Sequence, residues 1–388
     1  MPCKTVTAGI MSRRQFLKAG ATAIPALCLG CAPKRAPTEP ASPPVVAQRG
    51  RVRPQPSPWF TRLHQARVRC ELCPRHCELA DGQRAPCRVR ENRQGVGYTL
   101  VYGNPALVQD DPVERKPFFH VVPGSRALSV STAGCNLTCQ FCEVWDLALV
   151  EPEEVHAYDM PPETLVAHAR ASGVRAISYA FGEPVVFYEY MAAVASLARE
   201  AGLMNLLHTA GYITPGPLIE LTKNLDAVNV DLKSFDAAFY REVVGGELDT
   251  VLASLKLLRE AGVHLEITNI VIPTLNDDME TIGRMCRWIA HELGPDVPLH
   301  FARFYPLYRL SALPRTPVTT LERARDTARE AGLKFVYLAK VTGHDGENTF
   351  CPGCGEMVIR RVGFVIAGMN LESGGCRFCG TAIPGRWS

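Results

Sequence analysis

The sequence predicts an α/β protein: a partial (β/α) barrel with a cysteine-rich segment ahead of it and a second cysteine module behind it. Three observations carry that expectation. From about residue 126, short apolar runs alternate with helical patterns, as βαβ units around a parallel sheet require. Three of the intervening helices end in the same four letters, Arg199-Glu-Ala-Gly202, Arg259-Glu-Ala-Gly262 and Arg329-Glu-Ala-Gly332, and each glycine suits the left-handed position that stops a helix before the next strand. Most of the 15 cysteines fall in close-spaced sets on either side of the first predicted strand and at the end of the chain.

At 388 residues and 47% hydrophobic composition, the chain can bury one large core plus small satellite modules. A net charge of only +3 gives no footprint of a nucleic-acid binder, so small-molecule or protein substrates are favoured. Within residues 1–31, Ser12-Arg13-Arg14-Gln15-Phe16-Leu17-Lys18 and the apolar run Ala19 to Leu29 resemble a twin-arginine export signal, with Cys31 at a lipoprotein-like processing position. That leader suggests export or membrane anchoring, with a cytoplasmic location as the alternative. Residues 32–60 are proline-rich and read as an extended linker. The remaining boundaries are 61–125 for the first four-cysteine segment, 126–342 for the barrel and 343–388 for the terminal module.

Predicted strands are Ala127 to Ser131, Arg175 to Phe181, Met204 to His208, Ala227 to Leu232, Val263 to Ile272, Pro298 to Phe304 and Lys334 to Ala339. In such a barrel the ligand site gathers where loops leave the C-terminal ends of the strands. The helix from Asp278 to Leu293 places Ile282, Met285, Cys286 and Ile289 on one face, which makes Cys286 a core residue.

The loop Cys135-Asn-Leu-Thr-Cys139-Gln-Phe-Cys142 directly follows the first predicted strand. Four thiolates would saturate a [4Fe–4S] cluster; three leave one iron open to chelate the amino and carboxylate groups of S-adenosylmethionine (SAM). With its aromatic before the third cysteine, this CxxxCxxC loop resembles that of the radical SAM superfamily. The resemblance extends to Gly182-Glu183-Pro184, similar to the segment that receives the SAM amino group, and to Asp231-Leu232-Lys233, similar to the DxK element of pyruvate formate-lyase activating enzymes, whose lysine faces the SAM carboxylate. Asn276 and His300 match positions that such enzymes use around SAM. A low-potential electron donor such as flavodoxin or ferredoxin is implied with them.

Cys351-Pro-Gly-Cys354 and Cys376-Arg-Phe-Cys379 form a CxxC…CxxC set, the ribbon-like pattern of a closed four-sulfur site, for which we expect zinc. Cys70-Glu-Leu-Cys73-Pro-Arg-His-Cys77 and Cys87 make another four-sulfur set, which either zinc or a second iron–sulfur cluster satisfies. From Cys70 to Cys379, including Asp111-Pro-Val-Glu-Arg-Lys-Pro117 and His300-Phe-Ala-Arg-Phe-Tyr-Pro306, the order of elements resembles the radical SAM enzymes of the AmmeMemoRadiSam system. Glu143-Val-Trp145 departs from the Gln-Asn-Trp usual there. The expected activity is hydrogen abstraction by a SAM-derived radical. Activation of a glycyl radical enzyme, or a non-catalytic iron–sulfur or zinc protein, are the alternatives.

Overall fold

The computed structural model describes residues 46–388; the leader and the first part of the linker lie outside the described residues. Eight strands form one sheet in simple sequential order: β1 (Leu107–Pro112), β2 (Arg126–Ser131), β3 (Ala176–Tyr179), β4 (Met204–Thr209), β5 (Ala227–Asp231), β6 (His264–Val271), β7 (Leu299–Arg303) and β8 (Val336–Ala339). Strands β2 to β8 are parallel, in the order the apolar runs predict, and β1 adds an antiparallel edge, with Leu107 opposite Ser131. The sheet is thus an open, partial barrel.

Helices α1 (Pro162–Ala171), α2 (Tyr188–Glu200), α3 (Pro215–Thr222), α4 (Leu248–Glu260), α5 (Met279–Trp288) and α6 (Val318–Glu330) connect the parallel strands. The repeated Arg-Glu-Ala-Gly tails end α2, α4 and α6, and Gly202, Gly262 and Gly332 take φ of +74°, +70° and +97°. Only glycine enters that region without a Cβ clash, so the chain turns there into the next strand. Asp278 caps α5 by accepting from the Thr281 amide at 2.9 Å, and Ile282, Met285 and Cys286 are buried. No described helix is long and apolar enough to cross a membrane.

The N-terminal end of the barrel is closed by the segment between β1 and β2. Phe118, Val121 and Val122 pack on Ala127, Ala176, Leu206 and Ala227, the early residues of four strands. The terminal module lies against this closed end. Its residues Cys351, Val358, Ile359 and Ile383 share a core with Phe119, Phe335 and Tyr337, and buried Arg361 donates to the Phe119 carbonyl at 2.7 Å.

The linker expected to run to residue 60 stops earlier. Gln48 and Arg49 pair with Ala157 and His156, and Gln55–Pro56 pairs with Tyr98 and Thr99. Proline lacks one donor but still fits an edge strand, so a proline-rich composition did not preclude pairing there.

Candidate active site

The loop after β2 carries Cys135, Cys139 and Cys142 across the barrel mouth. Gly134 makes the turn that starts it, at φ +97°. The loop is seated on residues 240–246: the Thr138 and Gln140 amides donate to the Val244 and Val243 carbonyls, both at 2.9 Å. A Cβ on Gly245 would stand 2.2 Å from Thr138 Oγ1, and one on Gly246 2.7 Å from Leu137, so the glycine pair lets the loop lie flat. The Leu137 amide points at Cys135 Sγ, 3.4 Å away.

These three sulfurs suit a multi-iron group. Among the described residues, only Cys351, Cys354, Cys376 and Cys379 bring all their ligand atoms within 4.8 Å of one another, as a single ion demands. The catalytic-loop sulfurs stand further apart. Burial pushes the Cys139 thiol up to about 11, although the nearby Lys233 ammonium pulls the other way, and burial raises Cys135 well above its ordinary value, with Glu183 adding to it. Thiolates here therefore call for a cationic group bridging them.

Around the loop stand the predicted charged residues. Asp231 ends β5, and its carboxylate takes Lys233 Nζ at 3.0 Å and His208 Nε2 at 2.9 Å. Burial alone would raise the Asp231 pKa and lower that of Lys233; each charge reverses this for the other, holding Asp231 well below and Lys233 well above its ordinary value. An ammonium has three donors, and Asp231 uses one of those on Lys233, so this cation can still meet a carboxylate.

Glu183 is buried beside Cys135 and accepts from Val185 N (3.1 Å), Thr209 Oγ1 (2.6 Å) and Ala210 N (2.8 Å). Burial raises its pKa, a shift these donors and Lys233 reduce. Most of its acceptor capacity is spent tying β3 to β4, so it shapes the mouth as much as it lines it. Gly182 fits because a Cβ would meet Ser131 Oγ at 2.7 Å, and Phe181 before it has φ +71°, an uncommon conformation for a bulky residue.

Two expected SAM contacts are placed differently. Asn276 is buried and fully engaged: its Nδ2 donates to the Lys233 and Ile270 carbonyls at 2.8 and 2.9 Å, and its Oδ1 accepts from Ile272 N. It holds the Lys233 loop. His300 is not brought to the mouth at all. Second in β7, it donates from Nε2 to Glu266 Oε2 at 2.6 Å and packs edge-on against Phe119 at the closed end. Glu266 there also accepts from the Phe119 and His120 amides and contacts His264, partners that hold it charged although burial opposes this. Strand number alone does not give depth within a barrel, which is why the sequence misplaced His300.

Sequence reasoning missed His208 and Tyr240. The signal for His208 was its polarity near the C-terminal end of a barrel strand. Tyr240 accepts from the Lys233 amide at 3.0 Å and offers no comparable pattern. At the rim, Trp145 stacks on Tyr308 with ring centres 5.5 Å apart, and Glu143, the residue that departs from the expected pattern, pairs with Lys340.

The two four-cysteine sets differ in geometry. In the terminal one, Cys351 and Cys379 sulfurs are 3.6 Å apart and Cys354 and Cys376 sulfurs 3.7 Å apart. Tetrahedral thiolates about 2.3 Å from one ion would stand about 3.8 Å apart, so this set fits a single metal ion. Cys70, Cys73, Cys77 and Cys87 instead surround a small cavity.

Residues 129–286 match the model of the Radical SAM superfamily. An uncharacterized protein of Methanocaldococcus jannaschii is 40% identical over 327 residues, 84% of this chain and 97% of its own length. The pyruvate formate-lyase-activating enzyme of Clostridium pasteurianum is 28% identical over 43% of this chain and 70% of its own. The GTP 3',8-cyclase of Bradyrhizobium diazoefficiens is 25% identical over 60% and 72%.

Proposed function

Because the chain belongs to the radical SAM superfamily, whose members are enzymes, we propose that it cleaves SAM reductively at a [4Fe–4S] cluster on Cys135, Cys139 and Cys142, freeing a 5′-deoxyadenosyl radical that takes a hydrogen atom from its substrate. The observation that carries this reading is a loop offering three spread sulfurs beside a buried, charged Lys233 and Asp231 pair. In it, Lys233 receives the SAM carboxylate, and Glu183 with Gly182 faces the amino group. Asp231 keeps Lys233 charged and aimed, His208 holds the other Asp231 oxygen, and Asn276 fixes the Lys233 backbone.

Family membership sets aside the non-catalytic alternative. Activation of a glycyl radical enzyme is the second reading, supported by likeness to the Clostridium pasteurianum activating enzyme. The substrate, a protein or a small molecule, enters past Trp145 and Tyr308, and the electron comes from a flavodoxin- or ferredoxin-like donor. Zinc in the terminal set is supported by its sulfur spacing. The leader at 1–31 supports export or membrane anchoring over a cytoplasmic site. The test is spectroscopic: SAM added to the reduced, anaerobic protein changes the electron spin resonance of its cluster. An unchanged spectrum at saturating SAM counts against an open iron.

A further inference from the structure

We propose that Cys70, Cys73, Cys77 and Cys87 hold a second [4Fe–4S] cluster, closed by four protein sulfurs and serving electron transfer; this rests on the reading of Cys135, Cys139 and Cys142 as the catalytic cluster only for the destination of the electron. The first observation is spacing. All four cysteines line one cavity, yet no three of them approach within the 4.8 Å that the terminal set satisfies, so they enclose a volume and do not converge on a point. Sulfurs that enclose a volume suit a cubane with an iron at each sulfur, whereas the converged terminal set suits a single ion.

The second observation is the wall of that cavity. Arg90, 2% exposed, lines it, and its Nε finds no acceptor within the protein. Its Nη groups are paired with Glu189, which leaves the buried Nε–H as a donor to a cluster sulfur, one of the terms that set cluster potentials.

The third is position. Asn136, next in sequence to Cys135, lines the cavity, and Arg75 donates from Nε to the Asn136 carbonyl at 2.7 Å and from Nη2 to the Gly245 carbonyl. A Cβ on Gly134 would stand 2.7 Å from the Cys87 carbonyl. The two cysteine sites therefore share a wall. Cys77 is half-buried and Arg75 exposed at the outer side, which gives a protein donor an approach. One electron accepted there passes to the catalytic cluster, and with all irons capped the second cluster has no position for SAM.

The test is metal content and spectroscopy of the anaerobically isolated full-length protein. The proposal expects about eight iron and about one zinc per chain in the wild type, and about four iron in the C135A/C139A/C142A variant, whose reduced signal ignores SAM. The C70S/C73S variant should keep a SAM-responsive signal and cleave SAM with dithionite, yet lose at least about ten-fold in rate with a flavodoxin as donor. About four iron and two zinc in the wild type, or a triple variant free of iron, overturns it. Loss of SAM response in C70S/C73S beside an intact four-iron triple variant would instead strike the catalytic reading.

Discussion

Glu189→Gln probes how the cysteine-rich segment is fastened to the barrel. Arg90 Nη1 and Nη2 donate to the two Glu189 oxygens at 3.0 and 2.8 Å, with side chains 2% and 8% exposed. Ser57 Oγ bridges the same pair. Burial by itself would raise the Glu189 pKa, but Arg90 holds it below its ordinary value. Removing one member of a buried pair costs about 3 to 5 kcal/mol, because the other charge is left uncompensated. Here Ser57 and the glutamine oxygen still accept from Arg90, which puts the loss near 3 kcal/mol. At roughly 2 °C per kcal/mol for a chain of this size, the unfolding midpoint should fall by about 6 °C. The pH dependence has a definite sign. A carboxylate whose folded pKa is depressed contributes stability that is fully present above its unfolded value, near 4.5, and is lost as pH falls through the folded one. Differential scanning calorimetry of the anaerobic holoprotein at pH 7 and at pH 4 reads both effects: the wild type and Glu189→Gln should differ most at pH 7 and converge in acid. A variant within about 1 °C of wild type at pH 7 would refute the argument.

Lys233→Ala should weaken SAM binding by about 10- to 100-fold, the worth of one charge-assisted hydrogen bond, measured by equilibrium titration. Gly245→Ala puts a side chain at φ +77° and against Thr138, so cluster content after reconstitution should fall, with about 1 to 2 kcal/mol of backbone strain visible as a lower midpoint. His300→Ala should leave SAM affinity unchanged and lower stability by about 1 to 3 kcal/mol, since it strips Glu266 of a buried partner. C354S/C379S should lose the terminal metal and open residues 349–388 to limited proteolysis, with SAM affinity within about two-fold of wild type.

Much of this was legible in the letters, and for identifiable reasons. Hydrophobic runs and helix-stopping glycines are local signals, so all seven parallel strands were found within a few residues of their ends. The CxxxCxxC loop is likewise local, and the structure sets it at the barrel mouth with Asp231 and Lys233. What escaped depends on depth and on distant pairing. The edge strand β1 carries Gln109, Asp110 and Asp111, which reads as polar loop until β2 is there to pair with it. His300 lies on a predicted strand, but only the packed barrel reveals that it faces Glu266 and the closed end. For Cys70, Cys73, Cys77 and Cys87 the sequence left zinc and an iron–sulfur cluster as equal alternatives, because spacing in sequence does not give the distance between sulfurs.

Product analysis tests the central claim most directly. Reduced wild-type protein incubated anaerobically with SAM should yield 5′-deoxyadenosine and methionine in equal amounts, and C135A/C139A/C142A should yield neither. Undiminished 5′-deoxyadenosine from that variant would contradict the account.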